Sequence, residues 1–229
     1  MPKKITVSKN GPYAVSGGLP LSIQTIGVDD EGGSVKWIKG RSFDVGEAYK
    51  LCRCGGSKTK PFCDGAHRAI NFDGSETATH ATVLDQSKVL EGPTTALADA
   101  EGLCAFARFC DPNGQVWNQV EQTDDPKVRK TFVRQVGDCP AGRLLAIDRE
   151  TQKPIEPELP ESIGVIEDPA QGCSGALWIR GGVELVGADG RSYEVRNRMT
   201  LCRCGRSTNK PFCDGSHAAK PPFRDGLEG

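Results

Sequence analysis

At 229 residues and a formal net charge of −1, the chain has room for one domain or two, and no global charge draws it to nucleic acid or an anionic membrane. Hydrophobic residues make up 37% while Gly and Pro number 28 and 15, which favours small, turn-rich units over one large core; the ten cysteines offer such units a staple. No apolar h-region follows Lys3-Lys4, and no apolar run approaches the ~20 residues that cross a bilayer. The expected compartment is therefore the reducing cytoplasm, where cysteines bind metal more often than they pair. In chain order, Asp29-Asp30-Glu31-Gly32-Gly33 reads as a loop, and a short helix is expected to start at Asp64. Leu97–Phe109 is expected to be helical. Asp124-Asp125-Pro126 then predicts a second helix start, with Val128, Phe132, Val133 and Val136 on one face and Gly137 at its end. Pro154 to Pro160 reads as an extended connector. Ala176–Ile179, Val183–Val186 and Tyr193–Val195 read as strands split by Gly181-Gly182 and Ala188-Asp189-Gly190, and a last short helix is expected at Asp214.

The strongest organising signal is an internal repeat. Leu51-Cys52-Arg53-Cys54-Gly55 recurs as Leu201-Cys202-Arg203-Cys204-Gly205, and Lys60-Pro61-Phe62-Cys63-Asp64-Gly65 as Lys210-Pro211-Phe212-Cys213-Asp214-Gly215, both 150 positions on. Gly40-Arg41-Ser42-Phe43 matches Gly190-Arg191-Ser192-Tyr193 in the same register. Gly11…Gly17-Gly18 resembles Gly175…Gly181-Gly182 at an offset of 164, which places about 14 extra residues of the first copy around Gly27–Val35. A whole small module repeats. Its boundaries are read as 1–75 for the first copy and 166–229 for the second, with a different segment over 76–165.

Each copy carries Cys-x-Cys-x8-Cys-x3-His: Cys52, Cys54, Cys63 and His67, then Cys202, Cys204, Cys213 and His217. Disulfides fit poorly, because a bridge across one residue is strained and a reducing compartment opens it. Zinc accepts a Cys3His set, but its usual knuckle spaces paired cysteines by two to four residues. An iron–sulfur cluster accounts for the spacing better. Cys52 and Cys54 leave the same side of an extended strand end and can chelate one iron, while Cys63 and His67 stand on one face across a helix start and can chelate another. Gly55 and Gly65 let the backbone come close to the bridging sulfides, and free N–H groups at the helix start suit a negative centre.

Cys63-Asp64-Gly65-Ala66-His67 and Cys213-Asp214-Gly215-Ser216-His217, with Cys-x-Cys and Pro-Phe upstream, resemble the CDGSH iron–sulfur (NEET) family. The resemblance covers two stretches of about 17 residues each and the strands before them. It implies a [2Fe–2S] cluster per motif on three Cys and one His, in a β-rich fold. It also implies that the first two cysteines hold an inner iron, and the third cysteine with the histidine an outer, exposed one. Single-motif members form homodimers, so this chain is expected to form that pair internally, as a monomer whose two β modules pack as a pseudo-twofold unit. The fold class expected is α+β and β-rich, with an α/β ferredoxin-like segment between the modules.

Cys104-x5-Cys110 followed by Cys139-Pro140 resembles the three-cysteine pattern of divergent [3Fe–4S]/[4Fe–4S] ferredoxins. Ala107 stands where a middle cysteine would, so a complete four-cysteine site is absent. The favoured reading is a structural segment, a ferredoxin relative without metal, with a third cluster as the alternative; Cys173 lies apart, beside the second copy. His80 reads as a surface residue, Trp117 and Trp178 as core anchors. The expected function is electron transfer through two [2Fe–2S] clusters, to an unidentified redox partner. The alternatives are transfer or storage of clusters with an apo-protein acceptor, redox or pH sensing, and a purely structural role for the metals. No nucleophile–base pair or phosphate loop appears, so no enzyme activity is expected. Neither nucleic acid nor membrane is expected as a partner.

Overall fold

Alternation sets the first two strands of the fold. Lys4-Ile5-Thr6-Val7 buries every second residue, as does Tyr13-Ala14-Val15-Ser16, so each presents one apolar face to a shared core. The computed structural model describes residues 2–227. The first module supplies β1 (Lys4–Val7), β2 (Tyr13–Ser16), β3 (Leu21–Val28), β4 (Ser34–Phe43), β5 (Ala48–Leu51) and the one-turn helix α1 (Ala66–Ala69). The central segment adds β6 (Lys88–Glu91), β7 (Thr95–Asp99), the short α2 (Val116–Gln119), α3 (Pro126–Gly137), β8 (Leu144–Asp148) and β9 (Pro154–Ile155). The second module follows with β10 (Ser162–Asp168), β11 (Cys173–Arg180), β12 (Glu184–Val186), β13 (Arg198–Leu201) and a 3-10 turn over Ser216–Ala218. The fold is β-rich with few helices, as expected of an α+β chain.

Three sheets result, in the orders β12-β1-β2-β5, β13-β11-β10-β3-β4 and β6-β7-β8-β9. The first two exchange strands. β12 of the second module lies parallel on β1 of the first, and β3 of the first lies parallel on β10 of the second. Antiparallel pairs could be joined by tight turns, whereas these parallel pairs join segments far apart in sequence. One core serves both sheets, with Ile5, Tyr13, Val15 and Leu51 packed together with Ile163, Leu177, Met199 and Leu201. The exchanged elements are the β3–β4 hairpin of the first module and β12 of the second. β10 runs across the boundary expected at 165/166.

The third sheet packs on α3 through Phe132, Val136, Leu97, Leu144 and Ala146. Asp125 caps α3 by accepting from the backbone N–H groups of Lys127 (2.7 Å) and Val128 (3.4 Å), ahead of Pro126. At the other end of α3, the buried guanidinium of Arg198 donates to the carbonyls of Val136, Gly137 and Cys139 and to Glu156, so a second-module side chain holds the helix C-terminus. Trp37 of β4 donates to Asp138 O (3.1 Å) and packs on Phe109 and Trp178.

Two local expectations are corrected. Leu97–Phe109 is not a helix: Thr95–Asp99 is the strand β7, wholly buried between β6 and β8, and Glu101–Leu103 forms a 3-10 turn before an irregular loop. A fully buried strand reads as an unbroken apolar run, which periodicity does not separate from a buried helix. Tyr193–Val195 is not a strand either; one bridge, Val186 to Ser192, is all that forms there. The loop expected near Asp29–Gly33 is the β3–β4 turn, closed by Asp29 accepting from Gly33 N (2.7 Å).

Candidate metal centres

Each Cys-x-Cys follows a strand, β5 or β13, and the loop after it is held in the same way in both copies. Ser57 and Ser207 donate to the carbonyls of Phe62 and Phe212, both at 2.7 Å. Lys60 and Lys210 donate to the carbonyls of Ser57 and Ser207, both at 2.6 Å. Asp64 accepts from the N–H groups of Lys58 and Ala66, and Asp214 from those of Thr208 and Ser216. The aspartates thus tie the loop to the turn that carries the histidine. That turn is one turn of helix in the first copy and a 3-10 turn in the second, entered through Gly65 and Gly215 at φ of 90° and 83°. Accordingly the helix starts after the glycine rather than at the aspartate. The hydrogen bonds hold the Asp64 carboxyl below the usual carboxylate range. For Asp214, burial pushes up, yet the bonds from Ser216 and Thr208 prevail and lower it to about 2.

All eight predicted ligands come together as two sets of two pairs. Cys52 Sγ and Cys54 Sγ lie 3.8 Å apart, and Cys202 Sγ and Cys204 Sγ 3.7 Å. Cys63 Sγ to His67 Nδ1 is 3.6 Å, and Cys213 Sγ to His217 Nδ1 is 3.4 Å. Two ligands on one tetrahedral metal, with bonds of about 2.3 Å to sulfur and about 2.0 Å to nitrogen, stand roughly 3.8 Å (S···S) and 3.5 Å (S···N) apart. Each pair therefore has the span of a chelate, and Nδ1 is the histidine nitrogen turned to its cysteine. Among the described residues, no three His, Cys, Asp or Glu side chains converge as a single-ion site. Backbone N–H groups of Gly56, Arg206 and Gly215 point at Cys54, Cys204 and Cys213 Sγ. The six motif cysteines carry no disulfide.

Burial sets the thiol chemistry. It pushes the Cys54 thiol up to about 11 and Cys213 further still. Within the buried Cys202–Cys204 pair, their mutual hydrogen bond draws Cys202 down to about 6 and holds the Cys204 proton on. The protons held on Cys54, Cys204 and Cys213 are of the kind that a bound cation displaces, as on metal ligands. The donor set and its pairing fit an iron–sulfur group.

The two sets differ in cover. Cys54, Cys63 and His67 are half-buried, whereas Cys202, Cys204, Cys213 and His217 are all buried, His217 to 3% exposure. Phe223 closes over Cys202 and Cys204, and the 104–106 backbone of the central segment lies against Gly215. Burial lowers His217 to about 4, with the nearby Arg203 adding to the effect. Between the sets, Cys54 and Cys204 form an antiparallel bridge. A Cβ on Gly55 would meet Cys204 O at 2.5 Å, and one on Gly205 would meet Cys54 O at 2.6 Å, so both glycines are required by close approach.

Sequence reasoning assigned no role to Arg53, Arg203, Ser57, Ser207 or Tyr13. The first four recur in both copies, which was the available signal. Tyr13 does not recur: its hydroxyl donates to Cys202 O (2.8 Å) and Pro211 O (3.1 Å), from the first module into the second site.

Cys104, Cys110 and Cys139 line one small cavity with Ala107 and Pro140. Burial pushes the Cys110 thiol well up, and the neighbouring Cys139 and Cys104 add to it. Phe106 and Arg108 take positive φ (55° and 60°), wrapping the loop around that cavity. Cys173 is buried in β11 and does not line that cavity. Of the remaining residues, His80 is half-buried and stacks on Tyr193 at 4.2 Å, Trp178 is a core anchor, and Trp117 donates to Asp99.

Comparison with known proteins agrees with this layout. The family described as "Iron-binding zinc finger CDGSH type" matches residues 10–68 and 174–218. The family described as "Divergent 4Fe-4S mono-cluster" matches residues 90–149 between them. No curated protein and no solved structure matches the chain.

Proposed function

From a chain that carries two CDGSH-type iron-binding regions around a divergent 4Fe-4S region, we propose an electron-transfer protein holding two [2Fe–2S] clusters. Cys52, Cys54, Cys63 and His67 would hold one, and Cys202, Cys204, Cys213 and His217 the other. The observation that carries this reading is the pairing of the side chains: each pair has the spacing of two ligands on one metal, and among the described residues no three converge as a single-ion site. A [2Fe–2S] group supplies reversible one-electron chemistry. The chain's part is to fix the thiolates in two chelating pairs, to aim N–H groups at three of the sulfurs, and to exclude water from the second set. With one histidine per site, the potentials should lie between about −400 mV for four-cysteine centres and roughly −150 to +300 mV for two-histidine centres.

The exchanged strands β3, β4 and β12 and the reciprocal Gly55 and Gly205 contacts support an internal pseudo-twofold pair and hence a monomer. Because Cys104, Cys110 and Cys139 line a single cavity inside the region matched by the 4Fe-4S family, we also place a third cluster there, with three cysteine ligands. The role is carrier rather than enzyme. Among the described residues no helix is long and apolar enough to cross a membrane. The half-buried Cys63 and His67 favour one second reading, cluster delivery from the first site. Incubation with a reductant and, separately, with an apo-ferredoxin tests the choice. Repeated reduction and reoxidation with iron retained supports electron transfer, whereas iron and sulfide appearing in the acceptor would replace it by delivery.

A further inference from the structure

We infer that the two CDGSH-type sites are electrostatically unequal, so that the first site (Cys52, Cys54, Cys63, His67) takes the first electron. The inference rests on both sites holding [2Fe–2S] clusters, and it concerns the arginine between the paired cysteines, Arg53 in one site and Arg203 in the other.

Both guanidinium groups are buried, to 1% and 3% exposure. Arg53 donates to the carbonyls of Ser8 (3.1 Å), Gly11 (3.5 Å) and Gly74, lies over the rings of Tyr13 and Phe72, and leaves its Nε without a partner. Among the described residues it makes no ion pair. The carboxylate that feels its charge, Asp73, stands in solvent and accepts from Ser75. Arg203 sits instead between two buried carboxylates, Glu167 at 2.7 Å and Asp225, besides the carbonyls of Gly175 and Ile166. The origin of the difference is visible in the repeat. Phe72 N–H donates to His67 O and Phe223 N–H to His217 O, and two positions on stands Gly74 in one copy and Asp225 in the other.

Asp64 and Lys60 of one loop have counterparts in Asp214 and Lys210, and the Arg108–Asp168 pair beside the second site is neutral as a pair. The charges without a counterpart, Lys58 and Arg68 at the first site and Arg206 at the second, are exposed and screened by solvent. The buried charges that remain are one positive at the first site against one positive and two negative at the second. An added electron is favoured by a nearby positive charge and disfavoured by a negative one, most strongly away from water. Solvent acts in the same direction, since the half-exposed first site can hydrate the added charge and the buried second cannot. Each reduction is one Fe(III) taking one electron from a one-electron donor, with no bond made or broken.

The test is a redox titration of the full, loaded chain with reduced viologen as donor, followed by the paramagnetic signal of reduced [2Fe–2S] centres. Two separate one-electron waves are expected. Replacing His67→Cys should move only the upper wave, and His217→Cys only the lower. Glu167→Gln and Asp225→Asn should each move the lower wave up, and Arg53→Gln should move the upper wave down. A single unresolved wave, the reverse assignment, or a lower wave indifferent to both carboxylate changes would overturn the inference. If a carboxylate variant fails to fold, the two histidine assignments in otherwise native protein decide alone. Iron and sulfide assays on the same sample separate the two levels: absence of [2Fe–2S] centres overturns the underlying reading, whereas loaded centres with equal or reversed potentials overturn only this inference.

Discussion

Removing the hydroxyl of Tyr13 should weaken the second site from the first module, and only the second. Tyr13 is fully buried, and its oxygen donates to Cys202 O and Pro211 O across 189 and 198 positions of sequence. Pro211 O keeps another donor, the Cys202 N–H at 2.9 Å, but Cys202 O loses the donor that Tyr13 supplies. Tyr13→Phe keeps the ring and its packing, so the cost is that of one buried acceptor left without its bond, about 1–3 kcal/mol. At about 1.4 kcal/mol per decade that is a factor of roughly 5 to 150 in the equilibrium that opens the Cys202 loop. Strand register puts Leu177 opposite Leu201 where Tyr13 is opposite Leu51, so the first site has no counterpart to this hydroxyl. Chelator-driven bleaching should resolve two phases, a fast one from the half-exposed first site and a slow one from the buried second. The variant should accelerate the slow phase alone, with a lower urea midpoint. Phases unchanged, with stability within about 0.5 kcal/mol of the parent, would refute the claim that the Tyr13 hydroxyl ties the second site to the first module.

Gly55→Ala or Gly205→Ala forces a Cβ against the other module's cysteine carbonyl at positive φ, and either should cost at least about 2 kcal/mol in chemical denaturation. Asp125→Ala should cost about 1 kcal/mol through the lost cap of α3 while the iron content of both modules stays constant. Changing Cys104, Cys110 and Cys139 together to Ser should remove about three or four irons and one paramagnetic species, leaving the other centres in place. Unchanged iron would return the central segment to a purely structural role.

Reading the sequence alone picked out the eight side chains that the fold gathers as Cys–Cys and Cys–His pairs, because a doubled Cys-x-Cys-x8-Cys-x3-His leaves little freedom in which side chains meet. It also placed α3, whose Asp125-Pro126 start and Gly137 end are local signals. The strand exchange was not legible as it occurs. β3 and β12 pair with strands far away in sequence, and nothing local to Leu21–Val28 or Glu184–Val186 specifies a parallel partner in the other copy. Leu97–Phe109 misled for a related reason, since burial on both faces of β7 erases the alternation that marks a strand. The contrast between Arg53 and Arg203 was hidden as well. The arginine is the same in both copies, and its environment depends on Gly74 and Asp225, beyond the stretch that repeats by eye.

The central claim is that each Cys3His set holds a two-iron cluster, and elemental analysis with a visible spectrum tests it most directly. Anaerobically purified protein should be coloured and carry about four iron and four inorganic sulfide from the two modules, with about three or four more iron and about four more sulfide from the central site, and no stoichiometric zinc. A colourless protein with one zinc per Cys3His set would contradict it, because one tetrahedral ion would then gather the four ligands that stand here as two chelating pairs.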